Sequence, residues 1–116
     1  MFSYNHLNPA NCDFFEVASV EDLPPGERMI VQFDQDEILI FNIAGGFFAI
    51  GNVCSHDGNP LDDGEIDGQE IICVRHGARF DLHTGEATSL PAVVGIPAYP
   101  TRITDGKLEI GLPKQV

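Results

Sequence analysis

Apolar and polar positions along most of this chain alternate with the two-residue period of extended backbone. Over residues 27–33, Met29, Val31 and Phe33 share one face and Arg28 and Gln32 the other, which predicts a strand. The run Glu37-Ile38-Leu39-Ile40-Phe41-Asn42-Ile43 is nearly all apolar, as expected of a strand covered on both faces. Ala44-Gly45-Gly46 turns the chain and Phe47 to Ile50 returns it, so a hairpin is expected. Ahead of these lies a short extended run, Phe14 to Ala18. Ser19 then opens one helical turn that Pro24 and Pro25 stop.

Turn residues punctuate the second half just as densely. Gly58-Asn59-Pro60 and Asp62-Asp63-Gly64 are turn chemistry, and Asp67-Gly68 predicts a tight hairpin between Glu65-Ile66 and Gln69 to Ile72. Arg79 to Leu82 and Glu86 to Thr88 flank a turn at His83-Thr84-Gly85. Ala98 to Thr104 and Lys107 to Leu112 form a last hairpin across Asp105-Gly106. Many short strands with turns every few residues and no helical period place the chain in the all-β class, as an antiparallel sandwich or barrel. No internal repeat and no low-complexity linker divides it.

At 116 residues the chain is one domain. Eighteen acidic residues against six basic ones give a formal charge of −12. Such a surface repels a phosphate backbone, so neither nucleic acid nor an anionic membrane is expected as a partner. A protein with a basic face is favoured, although the same acidity also serves plain solubility. Met1 to Cys12 has neither a basic start nor an apolar run, and no later stretch has the length of a membrane span. The expectation is a soluble, cytoplasmic monomer.

Cysteine and histidine supply the chemistry. Cys54-Ser55-His56 and Cys73-Val74-Arg75-His76 are two mixed pairs separated by the sixteen residues 57–72. Both fall on loops at strand ends, where a rigid scaffold carries its functional groups. In a reducing compartment this pattern favours metal over a disulfide. Four ligands of this composition suit zinc, although zinc pairs usually read Cys-x2-4-Cys and His-x3-5-His. They equally suit two irons bridged by two sulfides, with both thiolates on one iron and both imidazoles on the other. Cys12 is assigned no role.

Cys54-x-His56 and Cys73-x-x-His76, with Gly77-Ala78-Arg79-Phe80-Asp81-Leu82-His83-Thr84-Gly85-Glu86 and Leu90-Pro91-Ala92 after them, resemble the Rieske iron–sulfur family from about residue 14 to residue 112. The resemblance implies a cluster-binding subdomain at about 52–91 on an antiparallel base at about 13–51 and 92–113. It implies one [2Fe–2S] cluster held by Cys54, His56, Cys73 and His76, with Pro91 shielding it. It also implies a carrier that passes single electrons from an NAD(P)H-dependent flavin reductase to a terminal non-haem iron oxygenase and is not catalytic on its own. The small subunit of an NAD(P)H nitrite reductase and a zinc-stapled binding module are the alternatives. High-potential members of the family have a disulfide where this chain has Asn59 and Arg75, and serine and tyrosine donors where it has Ala78 and Phe80. Their absence implies a low potential, because fewer donors then stabilise the reduced form.

Around the pairs, Asp57, Asp62, Asp63, Glu65 and Asp67 are read as a docking rim or a solvated turn. Arg75 and Arg79 are expected to satisfy those acids, and His83 and His6 to be ordinary surface histidines. Gly77 is expected to let the backbone approach the centre, and the imidazoles of His56 and His76 to face solvent.

Overall fold

The computed structural model describes residues 9–92 and 94–114. In chain order the strands are β1 Cys12–Ser19, β2 Arg28–Phe33, β3 Asp36–Ile43, β4 Gly46–Gly51, β5 Glu65–Asp67, β6 Glu70–Ile72, β7 Arg79–Asp81, β8 Ala87–Ser89, β9 Ala98–Tyr99, β10 Thr101–Thr104 and β11 Lys107–Pro113. They form three antiparallel sheets, ordered β1-β11-β10, β2-β3-β4-β9 and β5-β6-β7-β8. The all-β expectation is met.

The middle sheet organises the other two. Ile38 and Ile40 of β3 pack with Leu23, Ala49, Leu108 and Ile110 in one buried cluster. Leu39 and Phe41, on the opposite face, pack with Ile50, Leu61, Ile71, Phe80, Leu82 and Ile96 in another. That is why β3 is apolar at nearly every position: successive side chains point to opposite faces, and each face meets a different sheet. Cys54 and Cys73 belong to the second cluster. The small sheet β5-β6-β7-β8 is thus fixed to the base by apolar contact.

Local sequence explains the turns. Ala44-Gly45 and Asp105-Gly106 both have positive φ, at 51° and 92° and at 51° and 76°, the combination that two-residue hairpins with the natural strand twist require. The turn between β5 and β6 lies at Gly68-Gln69, one residue beyond Asp67-Gly68, because Asp67 pairs with Glu70. Ser19 precedes a single 3-10 turn, Val20–Asp22, and donates its backbone N–H to Asp22 Oδ2 at 3.0 Å.

One predicted strand is two. Residues 98–104 divide at Pro100, which has no N–H to offer a ladder. Ala98–Tyr99 pairs with β4, whereas Thr101–Thr104 pairs with β11. The chain therefore changes sheet at the proline, whose carbonyl still accepts from Gly111 N–H at 2.8 Å. β8 begins at Ala87 rather than Glu86, and His6 lies outside the described residues.

Gly85 joins the small sheet to the segment leading into β9. Its φ is +80°, and a Cβ there would stand 2.0 Å from the Ile96 carbonyl oxygen. Ile96 N–H donates to the Gly85 carbonyl at 2.8 Å, so the two backbones cannot separate without losing that bond. Gly85→Ala combines left-handed strain with a backbone clash and should lower stability by about 3 kcal/mol or more. Gly106 has φ +76° with nothing within 4 Å of the added carbon, so Gly106→Ala should cost only about 1 kcal/mol. Denaturant unfolding of the two variants measures the difference.

Candidate metal centre

Two loops carry the candidate ligands, and both are built on one hydrogen-bonded frame. The carbonyl of Cys54 accepts from Gly58 N–H at 2.7 Å, and its N–H donates to the Asn59 carbonyl at 2.7 Å. The carbonyl of Cys73 accepts from Gly77 N–H at 2.9 Å, and its N–H donates to the Ala78 carbonyl at 2.7 Å. Each cysteine is thus held by the residues four and five positions after it. Gly58 and Gly77 both have φ +76°, a left-handed conformation that glycine adopts without a Cβ penalty. The Gly77 N–H is committed to Cys73 and so is not a donor towards the centre.

The frame sorts the four side chains by depth. Cys54 and Cys73 are 0% and 2% exposed, while His56 and His76 are exposed, with ring centroids 5.0 Å apart. No disulfide joins the described cysteines. The sulfurs of Cys54 and Cys73 lie within 4.8 Å of each other and of an Asp57 carboxylate oxygen, and so do ring nitrogens of His56 and His76. The structure therefore brings all four predicted residues to one place, sulfur inside and nitrogen outside. Both imidazoles face solvent as expected.

Asp57 is the residue that sequence reading underrated. Its Oδ1 accepts from Asn59 N–H at 3.0 Å, an Asx turn that folds the carboxylate back over the loop. Among the described residues, Asp57 Oδ2 is the one buried side-chain polar atom without a hydrogen-bond partner. It stands 3.5 Å from His76 Nδ1. An occluded carboxylate oxygen with no hydrogen-bond partner is costly, and its place beside four metal-ligating groups fits a site that takes up metal ions. The donor set fits as well, because soft sulfur pairs and imidazoles suit iron–sulfur chemistry.

Burial pushes the Cys54 thiol above its ordinary pKa, against backbone N–H groups of His56 and Asp57 that favour the thiolate, and the neighbouring Cys73 raises it further. Metal binding here must release protons, because thiolate and not thiol is the ligand. Donors from Asn59, first its backbone N–H, hold Asp57 at about 2, with smaller help from Cys54 and His56.

Neighbouring residues take structural parts. Arg79 pairs with Asp67 at 2.9 Å and Glu70 at 3.3 Å, satisfying local acids as expected. Ala78 and Phe80 are fully buried beside the cysteines and carry no donor. His83 sits edge-on to Phe48, with ring centroids 6.5 Å apart, and does not join the ligating side chains of the centre. Pro91 follows a cis peptide bond and is half-buried. Its loop is tied to both ligand loops: the Ser55 hydroxyl donates to the Val94 carbonyl, and the Ser89 hydroxyl to the Gly77 carbonyl.

The first ligand loop is also clamped to the base. Arg28 Nη1 donates to the carbonyls of Asp62 at 2.9 Å and Gly64 at 2.7 Å, with its guanidinium 4.7 Å from the Phe41 ring centroid. Asn52, two residues before Cys54, is buried. Its Nδ2 donates to Glu37 Oε1 and Asp62 Oδ1, and its Oδ1 accepts from Leu61 N–H.

Fold and donor set together define a small all-β iron–sulfur module whose histidine edge is open to solvent. The Rieske [2Fe-2S] domain model matches residues 13–100, and the chain belongs to that family; its cofactor is a [2Fe–2S] cluster. The ferredoxin component of the naphthalene 1,2-dioxygenase/salicylate 5-hydroxylase systems of a Ralstonia species is 33% identical over 91 residues, 78% of this chain and 88% of the relative. The ferredoxin of carbazole 1,9a-dioxygenase from Nocardioides aromaticivorans IC177 superposes with a TM-score of 0.78 at 33% identity, over 87% of this chain and 98% of that one. A complex of reduced oxygenase and oxidised ferredoxin in carbazole 1,9a-dioxygenase shares the fold, with a TM-score of 0.79 at 24% identity, over 89% and 96%. No helix among the described residues is long and apolar enough to cross a membrane.

Arg28→Ala removes both carbonyl bonds and the ring contact at once. It should cost about 1.5 kcal/mol in denaturant unfolding. Arg28→Lys should recover less than half of that, because an ammonium is not a planar fork.

Proposed function

We infer that this chain is a soluble, cytoplasmic, monomeric one-electron carrier, with Cys54 and Cys73 on one iron of the cluster and His56 and His76 on the other. The observation that carries the reading is the division of depth: two thiols sealed in the core and two imidazoles at the surface. When bound, the cluster accepts one electron and gives it up again. Burial of the sulfurs keeps water and oxidants from the thiolates, and the exposed imidazole edges of His56 and His76 shorten the path to a partner. Val74, Leu90 and Val94 are exposed on the loops around these histidines. They give a docking protein apolar surface to cover.

The partners inferred are an NAD(P)H-dependent flavin reductase and a terminal oxygenase. Support comes from the relatives, which are components of dioxygenase systems, and from a ferredoxin of this fold seen with its oxygenase. A net charge of −12 would steer the carrier towards basic partner faces and hold copies of itself apart.

Material isolated without air should be red-brown and contain two irons and two sulfides per chain. His56→Ser and His76→Ser should each lose most of both. A single zinc ion that survives either change would instead establish the zinc-stapled reading.

The potential belongs at the low end of the range for mixed-ligand clusters, about −150 to +300 mV, because Ala78 and Phe80 donate nothing. Phe80→Tyr and Ala78→Ser should each raise the midpoint potential in a redox titration followed by electron paramagnetic resonance. Unchanged midpoints with intact clusters would show that donors at these two positions do not set the potential.

A further inference from the structure

Asp57 stands apart from the other acids of its loop. Asp62 meets Asn52, Asp67 meets Arg79, and Asp63 and Glu65 are exposed. Asp57 instead turns inward, fixed by the Asn59 N–H on Oδ1, with Oδ2 occluded and without a donor. A carboxylate oxygen of Asp57 reaches within 4.8 Å of both cysteine sulfurs, and one of both histidine nitrogens. Among the described residues no arginine or lysine pairs with it: Arg79 is engaged by Asp67 and Glu70, and the ion-pair neighbour of Asp57 is the His76 imidazole, with Nδ1 3.5 Å from Oδ2.

We propose that Asp57 is a positioning residue for charge, a fixed carboxylate against the cluster that holds its reduction potential down. The inference rests on the ligand assignment made above. Two ferric ions, two sulfides and two thiolates sum to zero, so reduction makes the centre a monoanion and creates repulsion with a neighbouring carboxylate. The repulsion falls on the product of reduction and hardly on the reactant, which is the condition for shifting an equilibrium. At this range, with one side walled by protein, solvent screens a unit charge far less than it screens a surface acid.

Two substitutions separate charge from loop geometry. Asp57→Asn keeps the oxygen that accepts from Asn59 N–H but removes the charge. Asp57→Ser keeps a shorter acceptor and introduces no amide donor. Each variant of the full chain is loaded, assayed for iron and sulfide, and titrated by spectroelectrochemistry, with the g values of the reduced form checking that the ligands are unchanged. Both variants should favour reduction at least tenfold, a midpoint rise of about 59 mV or more for one electron. Asp63→Asn, which removes an equal but solvated charge from the same loop, should shift the equilibrium less than threefold.

Equal midpoints in the parent and both Asp57 variants would overturn the proposal. So would an Asp63→Asn shift as large as theirs, because the effect would then be general surface charge. Loss of the cluster in both variants would also overturn it, by making Asp57 a requirement for holding the metal. Failure of the ligand assignment is distinguishable, because the parent protein itself would then lack two irons and two sulfides.

Discussion

The structure depends on one constraint: two sulfur atoms from distant parts of the chain must meet in a dry interior while the backbone that carries them stays hydrogen-bonded. The repeated frame at Cys54 and Cys73 meets it. In each loop the cysteine N–H and C=O are both satisfied by residues four and five positions on, so neither loop buries an unpaired backbone group at the point where it enters the core. Without that closure, the apolar packing that seals the sulfurs would have to offset the penalty of orphaned amides. The histidines then differ only in where they sit on a common frame, two residues after Cys54 and three after Cys73.

The base acts on this site through its middle sheet. Because β3 is apolar on both faces, the sandwich core and the core beneath the cysteines share one strand. A change that loosens either is felt by the other, as expected of close-packed interiors. Arg28 and Asn52 extend the connection into polar contacts. They fix the segment from Leu61 to Gly64, which is otherwise a run of turn residues with little apolar weight.

Much of this was legible from patterning. The period-two strands, the doubly apolar β3 and the two mixed ligand pairs follow from residue type and spacing, because each reflects a local requirement. What was not legible depends on contacts between distant residues. Pro100 could be read as a poor strand residue, but that it moves the chain from one sheet to another is set by what β4 and β11 offer on either side. Arg28 looks like any solvent-facing strand residue until the carbonyls of Asp62 and Gly64 arrive beside it. Asp57 shares its composition with four neighbouring acids, and only the Asx turn at Asn59 distinguishes it. A signal for the common loop frame was present: the spacing Cys-x-x-x-Gly occurs at both pairs, and the left-handed conformation of each glycine is its physical reason.

The distribution of charge around the site follows from the same geometry. Acids after His56 crowd a short stretch whose backbone is bent by turns, and like charges there would open the loop unless each found a separate environment. They do so in three ways: pairing with a cation, amide contact, and solvent. Arg79 takes Asp67 and Glu70, and Asn52 takes Asp62. Asp63 and Glu65 remain in water, where screening is strong. Pairs as exposed as those of Arg79 add little stability, so their effect is on shape: they keep β5, β6 and β7 in register under the second ligand loop. That leaves Asp57 as the carboxylate the fold directs inward, next to the four groups of this chain best suited to bind metal.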